Sequence, residues 1–82
     1  MTDYRPTLYH QPLSLDCARV RRELKSRTIE VQLKDVLLSR KHRAELARLL
    51  EGAPMVPCLV LADTVIAGKD AILRYLRLRY RR

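Results

Sequence analysis

Hydrophobic and polar positions along the first third of the chain predict a short strand followed by an amphipathic helix. Residues 7–9 form a short β-prone stretch. Ser14 is a good N-cap for a helix that ends near Arg27. The apolar positions of that helix recur with helical spacing at Cys17, Val20 and Leu24. One face of the helix is therefore expected in a core, and arginines occupy the opposite face.

The middle of the chain repeats this order. Residues 28–33 alternate between apolar and polar, which predicts a half-buried strand with inward side chains at Ile29, Val31 and Leu33. Ser39 can cap a second helix over about residues 40–50, and Gly52 supplies a stop signal after it. The chain therefore begins with two successive strand–helix units.

The last third predicts a hairpin and a closing helix. Residues 58–62 are continuously apolar, which indicates a central strand covered on both faces. Residues 64–66 read as its hairpin partner, and apolar residues at helical spacing follow over about 71–79. The predicted order is β-α-β-α-β-β-α. This is an α/β fold with a four-stranded mixed sheet, whose first two strands are parallel through a right-handed crossover.

Size and charge limit the function. The 82 residues form one small domain, and 17 basic against 9 acidic residues give a net charge of +8. Such a field attracts anions, including acidic proteins, nucleic acid and small anionic ligands, although charge runs are commonly solvated surface. Two cysteines are too few for a disulfide framework. With no signal-peptide pattern and no long apolar run, we expect a soluble cytoplasmic protein that does not enter a membrane.

The candidate chemistry lies at the start of the first helix. Ser14 and Cys17 are three residues apart, where free backbone N–H groups and the helix dipole favour anions. Such a position stabilises a thiolate, so Cys17 is a candidate reactive thiol. Its place in the apolar stripe favours a buried structural thiol instead. Ser14 is either a plain cap or a functional hydroxyl. Cys58 lies in an apolar strand, where core filling is the simpler interpretation.

Three segments resemble the glutaredoxins and the N-terminal domains of glutathione transferases. Residues 8–20 resemble the strand, Cys-x-x-Cys turn and helix that open a glutaredoxin, with Ser-x-x-Cys in place of the dithiol. Residues 55–60 are similar to the Val-Pro strand start of both families, and residues 66–76 resemble their last strand and helix. The resemblance implies a single thioredoxin-like domain over residues 1–82, with residues 1–5 and 79–82 frayed.

The resemblance also implies a ligand, glutathione. Ser14 would then lie beside the bound thiol, and Cys17 would be the second catalytic position. Pro57 would be cis and would leave the backbone of Val56 free to pair with the extended tripeptide. Gly68, Lys69 and Asp70 would bind the γ-glutamyl end. The alternatives that remain open are a strand-initiating proline at 57 and a simple helix cap at 68–70. No metal is implied, since the histidines lack partners at metal-ligand spacing.

Two departures from these families restrict the activity. Ser14 occupies the position of the attacking thiol, and a hydroxyl cannot attack a disulfide near neutral pH. The chain also stops where a transferase would begin its second domain. We therefore expect a glutathione-binding protein with at most limited monothiol or transferase-like activity. The alternative is a catalytically silent module whose basic surface binds an acidic protein, and nucleic-acid binding ranks last because no recognisable motif supports it.

Overall fold

The computed structural model describes residues 5–62 and 64–80, and its element order is the predicted one. The elements in chain order are β1 (Thr7–His10), α1 (Leu15–Ser26), β2 (Gln32–Asp35), α2 (Arg40–Leu50), β3 (Cys58–Leu61), β4 (Thr64–Ala67) and α3 (Lys69–Arg79). Most of the segments that the sequence predicts to be frayed, 1–5 and 79–82, lie outside the described residues; residue 79 is the last residue of α3.

The described strands form one mixed sheet in the order β2-β1-β3-β4. β1 pairs parallel with β2 and antiparallel with β3, and β4 is antiparallel to β3. Tyr9, near the end of β1, pairs with Cys58, which begins β3 and also pairs with Ala67 at the end of β4. The turns after β1, before β3 and after β4 therefore meet at one end of the strands, called here the turn edge.

Two apolar clusters on opposite faces of the sheet hold the helices. The cluster under α1 and α3 contains Leu8, Val20, Leu24, Leu59, Ile72 and Leu76. The cluster under α2 contains Tyr9, Val36, Leu46 and Cys58. Successive residues of a strand point to opposite faces, so each central strand contributes to both clusters. The predicted thioredoxin-like fold, with helices on both faces, is confirmed.

Helices α1 and α3 lie side by side and run in the same direction. At their starts the Lys69 Nζ is 3.8 Å from an oxygen of Asp16. At their ends the Arg27 guanidinium donates to the carbonyl oxygens of Leu76 and Tyr80, at 3.4 and 2.6 Å. The start of α3 consequently lies near the start of α1, at the turn edge.

The second strand differs from its prediction. The ladder with β1 begins only at Gln32, whose N–H donates to Pro6 O at 2.8 Å, because Thr28 (φ 58°) and Ile29 still direct their N–H groups to carbonyls of the preceding helix. Ile29 and Val31 pack against the core as predicted. Leu33 was predicted inward and is 50% exposed, since β2 is the last described strand on its side of the sheet.

The end of α2 also differs in detail. Glu51, and not Gly52, adopts the left-handed conformation, with φ 54°. The Gly52 N–H then donates to Ala47 O at 3.1 Å, a bond that closes the last turn. Among the described helices, none is both long and apolar enough to cross a membrane.

Candidate functional site

Ser14 caps α1, as the sequence predicts. Its backbone is extended (φ −80°, ψ 130°), and its Oγ accepts the Cys17 N–H at 3.2 Å. The Ser14 N–H donates to Gln11 O at 3.1 Å, which closes the turn after β1. A hydroxyl accepts and donates at once, so the cap leaves the O–H proton of Ser14 free to donate elsewhere. Capping and thiol binding are therefore compatible roles.

Both cysteines lie in the described part of the chain, and both are free and buried. The Cys17 side chain is 0% exposed, and its Sγ accepts the Gln11 N–H at 3.4 Å, so the predicted buried position is confirmed. Burial raises the pKa of the Cys58 thiol to about 11, which keeps it protonated at neutral pH. Cys58 belongs to the cluster under α2, as its core-filling interpretation predicts. The Ser14 hydroxyl is thus more accessible than either sulfur.

The sequence predicts that the arginines of α1 occupy the face opposite the core, but Arg21 contacts the turn after β1 instead of solvent alone. Its guanidinium lies 2.9 Å from the Nδ1 of His10 and donates to Pro12 O at 3.4 Å. Burial first, and then the Arg21 charge, lower the pKa of His10, while Asp35 opposes the shift. The neutral imidazole can accept from Arg21 and thereby hold the turn that carries Ser14. A basic residue one helical turn beyond Cys17 was the available signal for this contact.

The turn before β3 lies beside the Ser14 turn. The Val56–Pro57 peptide bond is cis, as the family resemblance implies. Pro57 is buried, and its carbonyl accepts the Gly68 N–H at 2.8 Å, which joins this turn to the start of α3. The backbone N–H and C=O of Val56 have no partner among the described residues. An extended ligand could form hydrogen bonds there, as an added strand does.

The start of α3 completes the edge. Gly68 has φ 97°, a conformation that favours glycine, and no side chain caps the helix. Among the described residues, the N–H groups of 69–71 therefore lack partners, and the first helical bond runs from Ile72 N to Gly68 O at 3.1 Å. The Asp70 side chain is 95% exposed. This helix start offers free donors and one exposed carboxylate to a ligand.

The fold thus brings the predicted site residues to the turn edge. Ser14, the Val56–Pro57 turn and residues 68–70 lie at the ends of adjacent strands, whereas Cys17 is covered beneath them. The Lys69 Nζ lies between Asp16 and Asp70, at 3.8 and 3.9 Å from their carboxylate oxygens, and the backbone N–H that the sequence assigns to the ligand has no partner among the described residues. Among the described residues, no group of His, Cys, Asp or Glu side chains could hold a metal ion.

A separate polar group lies on the α2 face and contains none of the predicted site residues. Tyr9 Oη and Lys34 Nζ both donate to an oxygen of Glu45, each at 3.0 Å. Burial and the bond to Glu45 raise the pKa of Tyr9, and the bond from Lys34 lowers the pKa of Glu45. A shallow hollow of about 340 Å³ beside this group is lined by Tyr9, Glu45, Arg48 and Leu49. These contacts join α2 to the sheet.

Comparison with known proteins identifies the family and the fold. Residues 8–82 match the family described as glutathione S-transferase, N-terminal domain. A thioredoxin-like protein shares the fold, with TM-score 0.77 at 23% identity, over 90% of this chain and 96% of its own. Comparison with curated proteins gives no match.

Two glutathione transferase structures are similar at higher identity. One, from the Antarctic clam Laternula elliptica, has TM-score 0.74 and 26% identity. The other, a transferase homologue from Drosophila mojavensis with bound glutathione, has TM-score 0.75 and 28% identity. In both cases the alignment covers 93% of this chain and 35% of the other. The chain therefore spans about a third of the length of these transferases.

Proposed function

The chain belongs to the family of glutathione S-transferase N-terminal domains, and we propose that its turn edge binds glutathione with the cysteinyl thiol beside Ser14. The observation that carries this proposal is the set of backbone groups without partners at that edge, those of Val56 and the N–H groups of 69–71, beside the exposed Asp70 carboxylate. The transferase homologue with bound glutathione, at 28% identity, supports the same ligand.

Each part of glutathione has a chemical counterpart at this edge. The γ-glutamyl carboxylate is an anion that suits free N–H groups at a helix start, and its ammonium suits Asp70. The cysteinyl backbone suits the N–H and C=O of Val56, in the manner of an added strand. The thiol then lies over the start of α1, where the free O–H proton of Ser14 can donate to it. Recognition thus rests mainly on backbone groups.

The chemistry that these residues can supply is stabilisation of a glutathione thiolate. A hydrogen bond from the Ser14 hydroxyl, together with the positive end of α1, favours the ionised sulfur. In monothiol exchange, the Cys17 sulfur would attack one sulfur of a disulfide, form a mixed disulfide and release the other as a thiolate. The complete burial of Cys17 opposes that attack. We therefore propose that Ser14 acts on the ligand and that exchange through Cys17 is slow.

Calorimetric titration with reduced glutathione tests the proposal. Asp70→Ala removes the carboxylate proposed to bind the ligand ammonium, and we expect binding to weaken about tenfold, the effect of losing one charge-assisted hydrogen bond. Glu30→Ala is the matched control, since Glu30 is exposed and lies beyond the far end of α1. Absence of binding at millimolar glutathione, or equal losses in both variants, would contradict the proposal.

A second candidate function is an interaction module for an acidic protein. It is supported by exposed cations on α1 and α3, among them Arg22, Arg74 and Arg77, which have no partner within the described residues. A pulldown at low salt with wild-type protein and with Arg74→Glu/Arg77→Glu tests it. Loss of a salt-sensitive partner in the double variant supports this function, and unchanged capture contradicts it.

A further inference from the structure

The outer edge of β2 has hydrogen-bonding groups that face away from the sheet. The N–H groups of Gln32 and Val36 donate toward β1, to Pro6 O at 2.8 Å and to His10 O at 3.0 Å. Alternate residues of a strand bond to opposite sides, so the N–H and C=O of Leu33, and of Val31 before it, face outward. No described strand lies on that side, because β2 ends the sheet order. An open strand edge is a template for another strand.

An apolar groove runs beside this edge. It has a volume of about 300 Å³ and lies between α1 and the chain that leads into β2, lined by Arg21, Leu24, Lys25, Ile29, Val31 and Leu33. Its floor is aliphatic, and its charged members are cations. Leu33, half exposed, lies on the face of the sheet that α1 covers, since it pairs with Leu8. The groove thus presents an apolar surface next to unpaired backbone.

We propose that this edge binds an extended segment of a partner protein as a fifth strand beside β2, with apolar and acidic side chains on the side of the segment that faces α1. Backbone hydrogen bonds to Leu33 would fix the segment, and its alternate apolar side chains would fill the groove. Side chains of an added strand face the groove at every second position, so the carboxylate must lie on the same side as the apolar side chains. It would there meet the charge of Lys25, which is exposed and has no partner among the described residues.

Charge makes an acidic partner a better occupant than a second copy of this chain. Each copy carries a net charge of +8, and a two-fold edge-to-edge pair would bring the cationic groove residues of both copies close together. An acidic segment instead neutralises this charge. The groove lies along the second half of α1, away from the turn edge at the start of that helix. Arg21 also bonds to the turn that carries Ser14. Leu33 and Lys25 lie away from that turn, so substitutions at these two positions test groove binding separately from glutathione binding.

Amide chemical shifts, with synthetic heptapeptides as probes, test the proposal. In the first peptide the alternate positions that face the groove carry valine and glutamate, with serine between them. In the second peptide lysine replaces glutamate, and the third is the first with alternate amides N-methylated. We expect the glutamate peptide to shift the amides of Val31, Leu33 and Leu24 in a saturable manner and to slow hydrogen exchange at Leu33. The other two peptides should bind at least about tenfold more weakly, because one reverses the charge and the other removes backbone donors.

Three variants separate groove binding from general attraction to a basic protein. Leu33→Glu should weaken the glutamate peptide about tenfold, because its apolar contact is lost. Lys25→Glu should weaken the same peptide and improve binding of the lysine peptide. Leu78→Glu, at an exposed leucine on α3, is the control and should change neither. Equal binding of the first two peptides, no saturable shift at millimolar peptide, or self-association through β2 that excludes the peptide would each overturn the proposal.

Discussion

The two ends of the α1/α3 pair are built in opposite ways. At the starts of the helices, the N–H groups of 69–71 have no partner among the described residues, and Ser14 retains a free hydroxyl proton. At the ends, Arg27 donates to the carbonyls of Leu76 in α3 and of Tyr80, which follows it, and is itself held by Glu23 at 2.6 Å, which also binds Arg19 at 2.9 Å. The start is open to a ligand, and the end is closed by the protein's own side chains.

This difference separates binding from stability along one pair of helices. Unpaired donors at the starts contribute little to the folded state but can bind an anion, whereas the paired carbonyls at the ends stabilise the helices and leave little for a ligand. Two arginines that lie close together in the sequence thus have different roles. Arg27 is a structural residue, while Arg22 is exposed surface.

The largest expected effect is at the closed end. Arg27→Ala removes the donor to the end of α3 and leaves the Tyr80 carbonyl without its partner, so we expect the free energy of unfolding to fall by about 2 kcal/mol. Urea denaturation measures this change. Glutathione affinity of the folded protein should not change, because the substitution lies at the other end of the helices.

Arg22→Ala is the control for that experiment. It removes an arginine of the same helix that has no partner in the described part of the chain, and its effect should stay within about 0.5 kcal/mol. Equal destabilisation by the two variants would show that the guanidinium of Arg27 does not hold the pair together.

Two serine caps offer a smaller, matched test of the open end. Ser14 Oγ accepts the Cys17 N–H and Ser39 Oγ accepts the His42 N–H, both at 3.2 Å. Replacing either serine by alanine should lower the free energy of unfolding by about 1 kcal/mol. Only Ser14→Ala should also raise the pKa of the bound glutathione thiol, measured by thiolate absorbance. If Ser14→Ala leaves that pKa unchanged, Ser14 is a cap alone.

The smallest expected effect is on the pH dependence of stability, which should differ between the two ends. The pKa of His10 at the open end is lowered from 6.5, mainly by burial, so the unfolded state binds more protons and stability decreases as pH falls below about 6.5. At the closed end, hydrogen bonds from Arg19 and Arg27 lower the pKa of Glu23 from 4.5. Its contribution is lost only as pH falls below about 4.5.

Denaturation at a series of pH values measures the loss of stability in both pH ranges, below about 6.5 and below about 4.5. His10→Asn retains an acceptor for Arg21 but does not titrate, so the decline below pH 6.5 should diminish. His42→Asn is the control, because its Nδ1 lies near Asp35 O, away from Arg21. If His10→Asn leaves the decline intact, the titration of His10 is not its source.

The sequence predicts elements whose signals are local. The caps at Ser14 and Ser39 and the spacing of Val20 and Leu24 give the starts and faces of helices correctly, because these depend on neighbouring residues. The alternation over 28–33 places the start of β2 too early, because Thr28 and Ile29 still bond to carbonyls of α1. It also places Leu33 in the core, although the number of neighbours that a strand has is decided by the sheet order and not by its own residues. Leu33 is exposed for that reason.

The candidate site shows the same limit. Family resemblance identifies the positions that meet at the turn edge, because the motif residues adjoin strand ends. The partners of Arg21 and Arg27 were not predicted, since these side chains reach groups 9 to 53 residues away and a periodic pattern assigns all arginines of a basic face alike. Burial of Cys17 could be predicted from its place in the apolar stripe.

The most direct test of the open end is a map of amide shifts on titration with reduced glutathione. The shifts should be concentrated at Ser14, Val56 and residues 69–71, and they should be absent at Arg27 and Tyr80, where the helix ends are already closed. Shifts confined to the closed end, or no shifts at the turn edge with millimolar glutathione, would contradict the account.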